Sequence, residues 1–294
     1  MMAPDHRTRQ RHEIRLDPKH FRAVARIARD DAGLTIPEGK TAMVQSRLAR
    51  RLRAVGIDGF EAYLALVESP AGAEERRELI SALTTNVTQF FRERHHFETL
   101  RSTVLPPLVA RARAGGRVRL WSAGCSTGQE AFSIACELAR LAPEAPRLDI
   151  RVLATDIDRN VLRRAREGRY PSAAFAGLSP NDIASLAGAA GAENGETAIR
   201  PELHGLVTFR ELNLLGPWPI RRPIDAIFCR NVVIYFDSDT QRRLWPRFES
   251  ALAPGGWLFL GHSERLQSDA APGMANVGVT TYRRLSVDPR EETR

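Results

Sequence analysis

After Gly115-Gly116 the apolar residues stop recurring every third or fourth position and gather into short runs separated by helical stretches. This alternation constrains the chain most, because short strands interleaved with helices pack best as a parallel sheet covered on both faces. Strands are expected at Val118 to Ser122, Leu148 to Thr155, the short apolar run Ile224 to Cys229, and Gly256 to Gly261. Helices are expected over 128–141, 158–168 and 238–252. Val277 to Leu285 reads as a last strand, and its approach by a loop suits an antiparallel edge. The expected class is α/β, a doubly wound, mostly parallel sheet.

Upstream the pattern is helical: Phe21, Val24, Ala25 and Ala28 repeat at three and four, as do Val44, Leu48, Leu52 and Val55, and further helices fit 57–68 and 73–84. Gly33, Gly56 with Gly59, and Ser69-Pro70-Ala71-Gly72 supply the breaks. The organisation that follows is a flexible tail at 1–16, a small all-α domain at 17–83, a linker with a connecting helix at 84–114, the α/β domain at 115–285, and a C-terminal tail at 286–294. Residues 171–212 break the alternation and read as a small inserted subdomain, with 187–195 a flexible loop.

Composition removes several classes of function. With 43% hydrophobic and 27% charged residues the chain is no disordered protein. No run approaches the roughly 18 apolar residues of a membrane span, and the start does not resemble a secretory signal, so a cytoplasmic protein without membrane insertion is expected. Cys125, Cys136 and Cys229 lack metal-type spacing and fit reduced thiols. His95 and His96 are adjacent and point to different faces of a helix, so no metal site is expected there. The formal net charge of +8 would attract a nucleic acid or an acidic protein surface alike.

Small residues follow the first strand in Trp121-Ser122-Ala123-Gly124-Cys125-Ser126-Thr127-Gly128-Gln129-Glu130, where a ligand can approach the backbone. This is neither GxGxxG nor a Walker loop, which disfavours dinucleotides and triphosphates. Asp156 closes the second strand, where a doubly wound fold offers a carboxylate to a ribose diol, whereas Asp158 reads as a helix cap. Glu130 favours its helix dipole and would also suit the ammonium of an amino-acid end. Ribose, a cation and no phosphate together fit S-adenosylmethionine. Arg230, Asn231 and Tyr235 leave the C-terminal end of the buried strand, where open sheets bind ligands. The polar stretch Thr84 to Phe97, with its paired aromatics, carries more than a plain linker needs.

Together, Ala82 to Arg92 (ALTTNVTQFFR), Trp121 to Gly128, Asp156-Ile157-Asp158, Phe228 to Asp237 (FCRNVVIYFD) and Gly261-His262-Ser263-Glu264 resemble the CheR-type chemotaxis receptor methyltransferases. The resemblance covers about residues 17–285. It implies a Rossmann-like methyltransferase domain and transfer of methyl from S-adenosylmethionine to glutamate side chains on the cytoplasmic helical bundle of chemoreceptors, with S-adenosylhomocysteine as by-product. Carried over residue by residue, the cofactor contacts fall on Asn86, Thr88, Arg92, Glu130, Asp156, Asn213, Leu214, Arg230 and Asn231, and Arg92 and Tyr235 stand near the transferred methyl. The family commonly has Gly-Glu-Glu-Pro-Tyr-Ser where this chain reads Gly128-Gln129-Glu130-Ala131-Phe132-Ser133; Glu130 keeps the cofactor position. The insertion matches poorly; in some members it is a small β-subdomain that docks a receptor's C-terminal peptide.

A glutamate with a pKa near 4.3 is already ionised at neutral pH, so the reaction implied needs placement and no general base. Arg47, Arg50, Arg51 and Arg53 form a basic run expected to face away from Leu48 and Leu52 and, on the resemblance, to meet an acidic receptor bundle. A monomer acting on protein, without nucleic acid, is the expectation. The competing readings are a nucleic-acid methyltransferase, for which stacking residues for an extruded base are not evident, and a non-catalytic receptor-binding adaptor.

Overall fold

A computed structural model describes residues 15–187 and 195–286. Nearly all of the two expected tails and of the 187–195 loop lie outside the described residues. The chain divides into two compact units, one running to Leu83 without Ala32–Leu34, the other taking Ala32–Leu34 and Thr84 onward.

The first unit is helical: α1 (Pro18–Ala32), α2 (Thr41–Val55), α3 (Phe60–Glu68) and α4 (Ala73–Leu83). Its core holds Phe21, Val24, Ile27, Val44, Leu48, Leu52, Tyr63, Leu79 and Ile80. Gly56 ends α2 at φ +71°, its N–H on Arg53 O, while Ile57 N–H reaches back to Leu52 O. The expected placing of the α2 arginines needs correction. Arg51 makes a bidentate pair with Glu75 (3.0 and 2.5 Å), and Glu75 also accepts from the buried Tyr63 hydroxyl at 2.7 Å. Arg47 donates to the Leu83 carbonyl at 2.9 Å. The angles give the reason: with Val44 at zero and about 100° per residue, Leu48 and Leu52 stand at about 40° and 80° and Arg51 at about −20°, beside the apolar stripe. Only Arg50 and Arg53, at about −120° and 180°, lie opposite it, and both are exposed.

The second unit opens with α5 (Arg94–Thr99), a wide π-type turn (Leu100–Val104) and α6 (Leu105–Arg113). Pro106 and Pro107 sit just past the turn, and without N–H groups they cannot close ordinary helical hydrogen bonds there. Then follow β1 (Val118–Ala123), α7 (Gln129–Leu141), β2 (Ile150–Asp156), α8 (Arg159–Glu167), β3 (Arg169–Pro171), α9 (Pro180–Leu186), β4 (Glu196–Ala198), α10 (Pro201–His204), β5 (Val207–Glu211), β6 (Ile224–Cys229), α11 (Ser238–Ala251), β7 (Leu252–Leu260), β8 (Met274–Gly278) and β9 (Thr281–Arg284).

Seven strands form one sheet in the order β5-β2-β1-β6-β7-β9-β8. β5, β2, β1, β6 and β7 pair in parallel, while β9 runs antiparallel to both β7 and β8. The antiparallel edge read at 277–285 is thus a hairpin, turning at Val279-Thr280. Neighbouring residues of each strand enter opposite cores: Leu120, Ala226, Phe228 and Phe259 pack with α6 and α7, while Trp121, Ile227, Cys229 and Leu258 pack with Leu244, Trp245 and Phe248 of α11. Burial on both faces is why these strands read as runs without polar alternation. Asp225 is the exception inside β6, held by Arg111 at 2.6 Å and the Arg119 N–H at 2.8 Å.

The insertion is shorter than 171–212. Val207–Glu211 is β5 of the main sheet, in register with Val152–Asp156, and what departs from the alternation is the small antiparallel pair of β3 and β4 with α9 and α10. The sheet order reverses between β1 and β6, which opens a crevice at their C-terminal ends.

Candidate active site

The loop after β1 bends through positive φ at Gly124 (+89°), Ser126 (+49°) and Gly128 (+95°). A side chain at Gly124 would collide with Val232, its Cβ only 2.3 Å from Cγ2, so glycine is required where the loops after β1 and β6 touch. Gly124 and Cys125 donate their N–H groups to the Thr155 carbonyl (2.7 and 2.9 Å), which brings the loop to the end of β2. There Ser126 N–H donates to Asp156 Oδ2 at 2.8 Å, and Asp158 N–H to Oδ1 at 3.0 Å. With about four acceptor sites, the carboxylate keeps capacity beyond these backbone N–H groups. Burial pushes the Asp156 pKa up to about 6 although these backbone N–H groups favour the ion.

Asp158 caps α8 through Asn160 N–H at 2.8 Å and accepts from Asn86 Nδ2 at 2.8 Å. The Asn86 carbonyl accepts from Ser126 Oγ at 2.8 Å, so the stretch before α5 is stitched to the β1 loop. On the other side Leu212 N–H reaches the Asp156 carbonyl at 2.9 Å, and Asn213 Oδ1 closes the next turn by accepting from Leu215 N–H at 2.9 Å. The loop carrying Asn213 and Leu214 therefore starts at Asp156.

Arg230 lies between two carboxylates, its side chain 2% exposed. Nη1 is 3.1 Å from Glu130 Oε2, Nη2 is 3.3 Å from Glu93 Oε2 and also donates to the Arg92 carbonyl, and the guanidinium lies 5.5 Å from the Phe97 ring centroid. Glu130 Oε1 accepts from Ser122 Oγ at 2.6 Å. Burial raises the Glu130 pKa, and Arg230 and Ser122 offset this only in part. For Glu93 burial also pushes upward, but Arg230 and the N–H groups of His262 outweigh it and hold the carboxyl below its ordinary range. Arg230 Nε is buried with no hydrogen-bond partner among the described residues.

The structure adds to the candidate site two residues that sequence reasoning did not single out, Glu93 and Glu264. Glu93, at φ +56°, immediately precedes α5 and accepts from His262 N–H (3.2 Å) and Nδ1 (3.1 Å). Glu264 takes four backbone N–H groups: Val232 at 2.9 Å and Ile234 at 3.2 Å on Oε1, Asn231 at 2.9 Å and Gly261 at 2.6 Å on Oε2. It thereby fixes the segment that ends in Tyr235. Glutamates in loops carry no periodic signal; the clues are that Glu93 lies within the polar stretch Thr84 to Phe97 and that Glu264 closes the Gly261-His262-Ser263-Glu264 block.

Asp156, Glu130, Arg230, Asn231, Asn86, Asn213 and Leu214 thus gather around the C-terminal ends of β1, β2, β5 and β6. Arg92 joins through its carbonyl, while its guanidinium donates to the Val87 carbonyl at 3.1 Å. Thr88 and Tyr235 are half-buried. Contrary to the expectation that the adjacent His95 and His96 point apart, Glu93, His95 and His96 each place one ligand-type atom within 4.8 Å of the others. Burial, then the charge of Arg230, pushes the His96 pKa down to about 3, so that ring is neutral.

Comparison with known proteins adds the context. The family model described as "CheR methyltransferase, SAM binding domain" matches residues 86–282, and "CheR methyltransferase, all-alpha domain" matches 19–84. The chain is 48% identical over 256 residues to a probable chemotaxis protein methyltransferase of Rhizobium etli, covering 86% of this chain and 95% of the relative. It is 42% identical over 258 residues to the chemotaxis protein methyltransferase of Salmonella typhimurium, covering 87% and 86%. It is 42% identical over 255 residues to that of Escherichia coli, covering 85% and 86%.

Proposed function

The chain belongs to the CheR methyltransferase family, and from that premise we propose that it transfers methyl from S-adenosylmethionine to glutamate side-chain carboxylates of chemoreceptors, forming glutamyl methyl esters and S-adenosylhomocysteine. One observation carries the choice of donor. The crest of the sheet presents an acceptor for a ribose diol in Asp156, and Arg230, beside Glu130, keeps a buried Nε with no hydrogen-bond partner among the described residues. A carboxylate end would satisfy the orphaned donor, and an ammonium would be favoured by Glu130. Bound there, S-adenosylmethionine would supply a methyl group on a positively charged sulfur. Asp156, Asn213 and Leu214 would hold the nucleoside side, and Glu130, Arg230, Asn231, Asn86 and Thr88 the amino-acid side.

The acceptor arrives ionised, so this chain's residues have to orient it and exclude water. Holding an oxygen in line with the methyl is worth roughly 7 kcal/mol or more of barrier. Arg92 and Tyr235 are assigned to the acceptor; Tyr235 stands where Glu264 has fixed the backbone. Arg92→Ala and Tyr235→Phe are each expected to lower kcat by about tenfold or more; donor affinity should stay within about threefold in Tyr235→Phe and weaken in Arg92→Ala, since Arg92 is also carried over as a cofactor contact. Rates within twofold of wild type for both would remove the assignment.

Receptor docking falls to Arg50 and Arg53, the exposed pair of α2. Reversing both charges is expected to raise the receptor KM by about tenfold at low salt, with the gap closing as salt rises. Arg51→Glu should instead lower the melting temperature, because it breaks the Glu75 pair. Equal receptor affinity at low salt would exclude this face.

Parallel incubations with methyl-labelled donor, one with receptor-rich membranes and one with RNA and DNA, test the function as a whole. Label in the receptor polypeptide alone is expected, and label in nucleic acid would overturn the reading.

A further inference from the structure

The pair of β3 and β4 takes no part in the reaction proposed above, yet one hydrogen bond ties it to the loop after β1. Tyr170, in β3, donates its hydroxyl to the Thr127 carbonyl at 2.6 Å. The ring is buried against Phe90 (edge-on, 5.1 Å between centroids), Phe132 (6.3 Å) and Phe175 (6.5 Å), so it cannot swing away from that carbonyl. The backbone is pressed against it: a Cβ at Gly128 would lie 3.1 Å from the Tyr170 oxygen and 3.0 Å from Ala165 Cβ.

The point of attachment matters more than the bond itself. Ser126, one residue before Thr127, gives its N–H to Asp156. Glu130, three residues after Thr127, is held by Ser122 and Arg230. Thr127-Gly128 is therefore the middle of the span between the two carboxylates assigned to the donor, and Gly128 at φ +95° is its most permissive residue. Ser126 Oγ fastens the span to Asn86 on one side; Tyr170 fastens it on the other. A loop already ordered in its binding shape loses less conformational freedom when a ligand arrives, and the saving is seen as affinity.

We propose that Tyr170 is a positioning residue that pre-orders the donor loop, and that the inserted β3–β4 sheet is the frame that carries it. The inference rests on the donor site proposed above. It makes a directional claim: loss of the hydroxyl weakens binding of the donor and of its demethylated product, and leaves the chemical step unchanged once the site is filled.

The test pairs two variants with wild type and measures S-adenosylhomocysteine binding by calorimetry, methyl-transfer kinetics and melting temperature. Tyr170→Phe keeps the ring and removes the bond; its Kd is expected to rise about five- to tenfold, with kcat at saturating donor and the acceptor KM within about twofold. Phe175→Leu removes only the most distant of the three rings and leaves Phe90 and Phe132 to hold Tyr170 on Thr127, so it should lower the melting temperature and leave Kd within about twofold. A Kd for Tyr170→Phe within twofold of a wild type that binds normally overturns the proposal. So does an equal rise in Phe175→Leu, which would mean general loosening. No binding by wild type would defeat the donor-site reading and this inference with it.

Discussion

Arg230→Met is expected to destabilise the protein by about 3–5 kcal/mol at pH 8, a fall of ~10 °C in melting temperature, because it strands two carboxylates that the fold holds out of water. Glu130 and Glu93 flank the guanidinium at 3.1 and 3.3 Å, and methionine fills the volume without the charge. The pH dependence identifies the cause. In wild type Glu93 sits below its ordinary range, so its stabilising share is present above the unfolded-state pKa and is lost as pH falls through the lower folded value. In the variant both carboxyls would titrate upward, so each proton gained on acidification relieves a buried charge. The gap in melting temperature between wild type and variant should therefore narrow from pH 8 to pH 5. A constant gap would mean that the loss comes from packing against Phe97.

Asp156→Ala is expected to weaken donor binding by about a hundredfold or more, since a carboxylate accepting two hydroxyls gives up two charge-assisted hydrogen bonds of roughly 1.5–3 kcal/mol each. Wild-type affinity should itself depend on pH in a window where an ordinary aspartate would be silent. Burial lifts the Asp156 pKa from 3.8 to about 6, and the ionised form is the one that accepts. Affinity should hold above pH 7 and fall, approaching tenfold per unit, below pH 6; the alanine variant should lack that fall. In the ligand-free fold the sign runs the other way: a raised pKa means that the ionised residue costs stability above pH 6, and the cost is relieved as pH falls. Calorimetric titrations between pH 5 and 8 decide the matter, and a flat profile for wild type would exclude Asp156 as the ribose acceptor.

The parts of this protein most legible in its sequence are those where one residue's chemistry and its place along the chain coincide. Cys229-Arg230-Asn231 follows a strand buried on both faces, so its location at the crest follows from the alternation alone. Asp156 ends a strand beside the reversal in sheet order, and the same logic finds it. Residues whose partners are remote in the chain were not legible. Glu93 acts through Arg230 and His262, 137 and 169 positions away, and Glu264 through backbone N–H groups that leave no mark on side-chain type. Val207–Glu211 reads as part of the insertion because in this edge strand only Phe209 is fully buried, and β5 looks like loop sequence until β2 pairs with it. The α2 arginines do not share one face: at about 100° per residue Arg51 falls beside the apolar stripe, where it finds Glu75.

The transfer proposed above puts a methyl group on an oxygen of an ionised side chain. Receptor-rich membranes incubated with this protein and methyl-labelled S-adenosylmethionine, then washed and exposed to mild alkali, report the bond that was made. An ester gives up its alkoxy group under those conditions, so the label is expected to leave the receptor as volatile methanol. Label that stays on the polypeptide through alkali would show methyl on nitrogen or carbon, and would contradict it.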